Sequence, residues 1–309
     1  MELFKRQTHI NFMRTRKLAL TLSIVVLLAA MVSLIGRGMK LGIDFTGGVA
    51  VEVSYPQPVS TQTVRAALQH AGLKSFVAQH FGSPVDIMIR LQPRKDQVAK
   101  TVGAQVVAAL QAQNPKVIEK QVNVVGPQVG SELRTQGFLA LIVTLIMIFI
   151  YLLVRFEWRL ALGAVAATLH DLLFVVGIFS LARLDFNLDV LAAVLAVLGY
   201  SVNDTVVVFD RIRENFKRMR RGEPIEVINT AINQTLSRTI MTSGMTLLVV
   251  VALLVVGGPS LRGFSLALLI GIAVGTYSSI YIASATAYML GISRQNFAVK
   301  KKVTAEDQP

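Results

Sequence analysis

The sequence contains no cysteine among its 309 residues, which excludes disulfide bonds, cysteine-ligated zinc sites and thiol catalysis. It also has no phosphate-binding loop of the form Gly-x-x-x-x-Gly-Lys-Ser/Thr, no His-Glu-x-x-His helix and no nucleophile elbow. Acidic residues are few, with 18 Asp and Glu against 31 Lys and Arg. We therefore expect no enzyme activity, no cofactor and no metal site.

The basic excess, a formal net charge of +13, does not indicate nucleic-acid binding. The basic residues form short clusters between apolar runs, where Lys and Arg set membrane orientation, and no RNA-binding signature accompanies them. Hydrophobic residues make up 53% of the chain and the mean hydropathy is +0.57. This composition is typical of a membrane protein rather than a soluble domain of the same size.

Six apolar runs are long enough to cross the hydrocarbon core, which takes about 20 residues of helix. They are 18–35, 135–154, 160–181, 188–209, 239–256 and 263–290. The first run resembles a signal peptide, but it is longer than a usual apolar core and lacks a clear cleavage site, so we expect it to remain as a span.

The basic clusters give the orientation of these spans. They lie in the N-terminal segment 1–17, in the segment 210–238 and in the tail 291–309, which places both termini in the cytoplasm. The basic residues of 210–238 are expected to contact anionic lipid headgroups.

The long segment between the first two runs, 40–134, has mixed polarity and predicts a folded domain outside the cytoplasm. Its alternating and 3.6-residue patterns predict strand 49–55, helix 61–71, strand 75–81, strand 85–91, helix 96–113 and strand 117–125. This βαββαβ order is the ferredoxin-like arrangement. The predicted fold is therefore an all-α membrane bundle of six transmembrane helices with an inserted α+β domain.

An aspartate lies inside the fourth run, where burying a charged side chain costs about 2.5–3.5 kcal/mol on insertion scales. Asp204 ends a polar segment that also contains Gly199, Tyr200, Ser201 and Asn203. A stripe of small residues runs beside it, made of Ala192, Ala196, Gly199 and Asn203. Small residues allow close helix packing, so Asp204 should face the bundle interior. It either gains and loses a proton or is fixed in an interhelical hydrogen bond.

Three further ionisable residues lie in or beside the spans. Arg238, at the start of the fifth run, either modulates Asp204 or extends towards the headgroups as an orienting arginine. His170 and Asp171, in the middle of the third run, either relay protons or form a satisfied polar contact between helices. Both interpretations remain open for each position.

A glycine-containing motif marks the entry to the outer domain. Its residues Asp44, Phe45, Gly47 and Gly48 follow the first span, and the glycines permit either a tight turn or a flexible hinge.

These motifs resemble those of the SecF branch of the SecD/SecF protein-export family. The entry motif 42–48 is similar to the one shared by the family, and 199–205 running into 210–215 is similar to its fourth-span signature. Further similar segments are 11–14, 168–171, 237–244 and 257–259. The resemblance covers residues 4–290 in order and at the expected spacings.

The resemblance implies a subunit of the Sec preprotein translocase, in the bacterial inner membrane, from the resistance-nodulation-division superfamily. Such a subunit pairs with SecD, associates with the SecYEG channel and YajC, and uses the proton motive force to promote late-stage export. The domain 40–134 would be periplasmic and would contact the emerging preprotein. Asp204 would be the functional carboxylate and Arg238 its fifth-span arginine. The resemblance leaves the coupling ion, proton or sodium, open.

Two alternatives to this function remain open on the sequence. One is half of a solute or lipid transporter from the same superfamily, and the other is a passive assembly factor of the translocon. A solute-dependent current would favour the first, and tolerance of every intramembrane charge neutralisation would favour the second.

Overall fold

A computed structural model describes residues 8–73, 75–92, 99–219 and 222–297 of the chain. The helices are α1 (Arg16–Arg37), α2 (Ile43–Thr46), α3 (Thr61–His70), α4 (Ala99–Gln113), α5 (Pro127–Arg155), α6 (Trp158–Leu181), α7 (Leu188–Arg218), α8 (Pro224–Val256), α9 (Gly258–Ser278) and α10 (Ser284–Met289). Four parts of the predicted organisation lie outside the described residues: 1–7 of the N-terminal segment, 96–98 of the predicted helix 96–113, the basic pair 220–221 and 298–309 of the tail.

Within the described ranges, six helical segments are long and apolar enough to cross a membrane: α1, α5, α6, α7, α8 and the continuous segment Gly258–Met289. The last contains a π-helical turn, Ser279–Ala283, between α9 and α10. About half of the apolar part of α6, α7 and Gly258–Met289 is buried, whereas α1, α5 and α8 expose most of theirs. The bundle therefore has a three-helix centre with three peripheral helices, whose apolar surfaces suit lipid or a partner subunit.

Several helices extend beyond the predicted apolar runs, because local caps and ion pairs, not hydropathy, determine where they end. Helix α8 begins at Pro224, where Glu223 and Glu226 form a reciprocal capping box. Helix α7 continues to Arg218, supported by an ion pair between Arg218 and Glu214 at 2.9 Å. The segment 210–238 therefore consists largely of the ends of two long helices.

The segment 40–134, called the outer domain below, contains a four-stranded sheet. Its strands are β2 (Gly48–Ser54), β3 (Phe76–Phe81), β4 (Ser83–Leu91) and β5 (Ile118–Val125). A separate two-stranded pair is formed by β1 (Lys40–Leu41) and β6 (Asp185–Phe186), which lies in the loop between α6 and α7. The sheet order is β3-β4-β2-β5 with every pair antiparallel, which is the ferredoxin-like order, so the predicted fold class is confirmed. Helices α3 and α4 cover one face and bury Val51, Leu68, Ile89 and Leu110.

The chain enters and leaves the outer domain at one tight crossing. Gly47, at the end of the entry motif, has φ +71°, and a Cβ atom there would lie 2.7 Å from Cα of Pro127, the first residue of α5. A Cβ atom on Gly130 would lie 2.6 Å from the backbone N of Gly47. Glycine is therefore required on both sides of the crossing, because backbone approaches backbone.

The described part of the N-terminal segment forms an arm, residues 8–15, that lies along α8. The side chain of Asn233 accepts from the backbone N of Ile10 at 2.9 Å and donates to its carbonyl at 2.8 Å. Asn229 accepts from the backbone N of Met13 at 3.0 Å, and the Met13 side chain is fully buried. These bonds fix the arm to the end of α8 that also carries the capping box.

Candidate functional site: buried carboxylates among the spanning helices

Asp204 lies on α7 and is buried in the centre of the bundle, with 2% of its surface exposed. The hydroxyl of Ser243 on α8 donates to its Oδ2 at 3.1 Å. The hydroxyl of Thr276 on α9 lies 2.8 Å from Ser243 Oγ. A chain of hydroxyl groups thus joins three helices and ends on one carboxylate.

No salt bridge to Asp204 occurs within the described part of the chain. Arg238, on α8, lies within electrostatic range of the carboxylate, but its side chain is exposed. Several buried hydroxyl oxygens on the same helices have no partner among the described residues, namely those of Tyr200, Thr205 and Thr239. The structure therefore brings Arg238 near Asp204 but does not pair them, and it leaves buried hydroxyl groups on α7 and α8 without a partner among the described residues.

Asp171 on α6 forms a second buried centre with more hydrogen bonds. Its Oδ1 lies 2.9 Å from Nδ1 of His170, and its Oδ2 accepts from the hydroxyls of Ser201 at 2.5 Å and Ser278 at 2.7 Å. His170 is also buried, and its Nε2 has no partner in the described ranges. Ser278 is the last residue before the π-helical turn, and such turns frequently occur at functional sites.

The two centres meet on α7 and α9. Ser201 and Asp204 are three residues apart on α7, so they lie on one side of the helix about one turn apart. On α9, Thr276 serves the Asp204 centre and Ser278 serves the Asp171 centre. A movement of α7 against α9 would therefore alter the donors of both carboxylates.

The small-residue stripe on α7 does not lie inside the bundle as the sequence pattern predicted. Ala192, Ala196, Gly199 and Asn203 are all exposed, and no described atom lies within 4 Å of a Cβ atom built on Gly199. Of the fourth-span motif, Ser201 and Asp204 are buried and Tyr200 is partly buried. The stripe and the carboxylate occupy different faces, because residues i and i+1 diverge by about 100° around a helix.

The entry motif is packed against the start of α7. Oδ2 of Asp44 accepts from the backbone N of Leu188 at 3.0 Å, so Asp44 caps this helix. Phe45 is buried with its ring centre 6.0 Å from that of Phe186. Gly48 adopts φ +137°, which only glycine adopts readily. The motif therefore contacts the helix that carries Asp204, which its sequence position did not predict.

The hydroxyl donors on α8 and α9 were not predicted. Ser243 lies in the segment 237–244, which resembles the SecD/SecF family. It follows Thr235 and Thr239 at four-residue intervals on one buried face of α8. That spacing was the available signal, since Ser and Thr at i and i+4 share a helix face. Thr276 and Ser278 lie in the apolar run 263–290, which contains no charged residue that would indicate a polar site.

Comparison with known families identifies the chain. Residues 105–293 match the family described as protein export membrane protein SecD/SecF, C-terminal, and residues 32–59 match the SecD/SecF GG motif. The chain belongs to the SecD/SecF family. Protein translocase subunit SecF of Vibrio alginolyticus is 46% identical over 296 residues, covering 96% of this chain and 94% of the relative. The subunit SecF of Escherichia coli O157:H7 is 44% identical over 303 residues, covering 97% and 94%.

A solved SecD/SecF structure shares the fold. The crystal structure of SecDF, a translocon-associated membrane protein from Thermus thermophilus, superimposes with a TM-score of 0.85 at 36% identity. The match covers 93% of this chain but 39% of that longer chain. The chain is thus a SecF-type, multi-pass protein of the bacterial inner membrane.

Proposed function

We propose that this chain is a non-enzymatic subunit of the Sec translocase that, with SecD, uses the proton motive force to promote late-stage protein export. The relatives are named as protein translocase subunits, which supports the export role. The coupling to an ion gradient rests on one observation: Asp204 is buried among the spanning helices with a single hydroxyl donor and no salt bridge among the described residues.

The environment of Asp204 suits a group that changes its charge during a cycle. Burial favours the neutral carboxyl, whereas a nearby cation such as Arg238 favours the carboxylate. The two effects oppose each other, so a small movement of α8 that shifts Arg238 or Ser243 would change the balance between the two forms. A bound proton would in turn favour whichever helix arrangement binds it more tightly.

We propose that His170 and Asp171 form a second station of the same pathway. Ser201 links Asp171 to the helix that carries Asp204, and Nε2 of His170, which has no partner among the described residues, can accept or donate a hydrogen bond. Among the described residues Asp171 has three hydrogen-bond partners and Asp204 has one, so hydrogen bonds hold Asp204 less firmly in place. Asp171 holds α6, α7 and α9 in register.

We further propose that both termini face the cytoplasm and that the domain 40–134 faces the periplasm. There it would contact the translocating preprotein, while the spanning helices associate with SecD, the SecYEG channel, YajC and membrane lipids. The exposed apolar surfaces of α1, α5 and α8 support contacts of this kind.

The test is an Asp204→Asn variant that keeps the shape of the side chain and removes its charge. Export of a preprotein into inverted membrane vesicles, measured with and without an imposed proton gradient, should lose its gradient-dependent part. Asp189→Asn, an exposed carboxylate on the same helix, is the matched control and should export as the unmodified protein does. Copurification with SecD shows whether each variant assembles. Gradient-dependent export by assembled Asp204→Asn would reject the coupling role.

The same assay tests the second station. Asp171→Asn should also reduce gradient-dependent export, because it removes the acceptor shared by Ser201 and Ser278. Full activity of this variant would remove Asp171 and His170 from the pathway and leave them a structural contact.

One cavity in the structure is large enough to make the transporter alternative worth testing. A space of about 570 Å³ lies between the open face of the outer sheet and the nearby ends of α7 and α9, within the size range of small-molecule pockets. Its lining includes Lys40, Glu52, Arg90, Asp185 and Arg262. A solute-dependent current through the reconstituted SecD-containing complex would favour transport, whereas currents independent of added solute would favour export.

A further inference from the structure

One carboxylate in the loop between α6 and α7 holds the outer domain against the membrane bundle. Arg90 on β4 donates to both oxygens of Asp185, at 2.8 Å to Oδ1 and 2.6 Å to Oδ2. Gln79 on β3 donates to Oδ2 at 3.0 Å, and Nζ of Lys40 lies 3.0 Å from Oδ1. Two strands of the outer sheet and the exit from α1 thus converge on a single side chain of the bundle.

The backbone around Asp185 extends this attachment. Strands β1 and β6 form a short parallel pair in which Lys40 lies opposite Asp185. The backbone N of Gly42 donates to the carbonyl of Phe186 at 2.7 Å, and two residues later Leu188 donates to Asp44. The entry motif, the loop and the first residue of α7 are therefore one hydrogen-bonded unit.

The Asp185 interaction is stronger than an exposed ion pair. Arg90 and Asp185 have side chains that are 20% and 24% exposed, and a bidentate guanidinium–carboxylate pair has both charge and fixed geometry. Burial raises the pKa of Asp185, but the hydrogen bond and charge of Arg90, with the bonds from Gln79 and Lys40, outweigh it and lower the pKa. Asp185 therefore stays charged and bound to its partners at neutral pH.

We propose that Asp185 is a positioning residue that couples the outer domain to α7, the helix that carries Asp204. Asp185 lies three residues before α7, and 16 residues of continuous helix, roughly 24 Å, separate Leu188 from Asp204. A long helix moves as one body, so a shift of the sheet on Arg90 reaches the buried carboxylate, and the reverse. This inference rests on the proposed function, because Asp204 is the group to which the domain is coupled.

The test uses the full chain in complex with SecD and two independent measurements. Hydrogen exchange reports attachment at 40–46 and 185–191, and gradient-dependent export reports coupling. Asp185→Asn should speed exchange in both segments by about tenfold, the effect of losing a hydrogen bond to a charged group, and should reduce gradient-dependent export. Asp189→Asn, four residues further on and exposed, should change neither gradient-dependent export nor exchange at 40–46.

The charge swap Arg90→Asp with Asp185→Arg, made together with Lys40→Gln to remove the like charge beside position 185, distinguishes the specific pair from a general loss of structure. It should restore much of the exchange protection and export that Asp185→Asn loses. Gln79→Met, which removes one donor, should change both measurements in the same direction by a smaller factor. It therefore keeps the test valid if Asp185→Asn does not assemble.

Unchanged exchange in Asp185→Asn would overturn the proposal, and so would faster exchange with export intact. Failure of the swap to restore either measurement would also overturn it. Asp204→Asn separates this proposal from the proposed function, since it should stop coupled export while leaving exchange at 40–46 and 185–191 unchanged. Normal export by Asp204→Asn would contradict the proposed function, and the exchange result for Asp185→Asn would still decide the attachment.

Discussion

Replacing Gly47 with alanine tests whether the crossing that joins the outer domain to the bundle is rigid. The φ of +71° costs a residue with a side chain about 1–2 kcal/mol. The added Cβ would lie 2.7 Å from Cα and 3.0 Å from N of Pro127, which are backbone atoms and cannot rotate away. Overpacking of this kind costs about 1–3 kcal/mol, so Gly47→Ala should lower the free energy of unfolding by about 2–5 kcal/mol.

The measurement is the thermal unfolding midpoint of the purified protein in detergent, which should fall by roughly 5 °C or more. Gly36→Ala is the matched control, because Gly36 lies within α1 and no described atom lies within 4 Å of its built Cβ. Alanine in a helix is favoured over glycine by up to about 1 kcal/mol, so this control should unfold at the same temperature or higher. An unchanged midpoint for Gly47→Ala would refute the rigid crossing.

Two other outcomes follow from hydrogen bonds at opposite ends of the bundle. Burial raises the pKa of Asp185, but Arg90 and its other partners lower it overall. The stabilisation of the fold by ionised Asp185 is therefore complete above the unfolded pKa of about 3.9, and it is lost as the pH falls towards the lower pKa of the folded state. The unfolding midpoints of the unmodified protein and Asp185→Asn should therefore differ at neutral pH and converge in acid; a constant difference would contradict this. Asn233→Ala removes both bonds to Ile10, so hydrogen exchange in the N-terminal arm should accelerate several-fold, whereas Thr230→Ala on the same helix should leave it unchanged. Equal exchange in the two variants would show that the arm is held by other contacts.

The outer domain could be predicted closely because its signals are local. Alternation along each strand and apolar residues three or four apart on each helix determine the faces that pack together. The predicted strand 85–91 corresponds to β4, Ser83–Leu91, and the predicted strand 49–55 corresponds to β2, Gly48–Ser54. The order of elements then left the ferredoxin-like sheet as the natural arrangement.

Burial of Asp204 could also be predicted, but its partners could not. An acidic side chain within an apolar run must avoid lipid, so it is predicted to point into the bundle. That prediction does not say which residue it contacts there. Ser243 is 39 residues away, and Arg90 is 95 residues from Asp185. Pairings at such distances depend on how helices and sheet pack, and a periodic pattern reports only which face of an element is polar.

The wrong prediction for the small-residue stripe on α7 has the same cause, because a periodic pattern does not identify the partner of a helix face. Small residues at intervals of three and four indicate that another helix approaches, and the pattern carries no information about whether that helix belongs to the same chain. The exposed stripe with Gly199 and Asn203 leaves that surface available to a partner such as SecD.

Because the segments before β2 and after β5 touch at Gly47 and Gly130, the outer domain is inserted into the bundle as a cassette. Cutting at both sides would leave two ends close enough to be joined by a very short linker, without pulling α2 away from α5. A graft of the cassette from a related protein would therefore have to keep the paired glycines at this crossing and also the Arg90–Asp185 contact with the loop before α7.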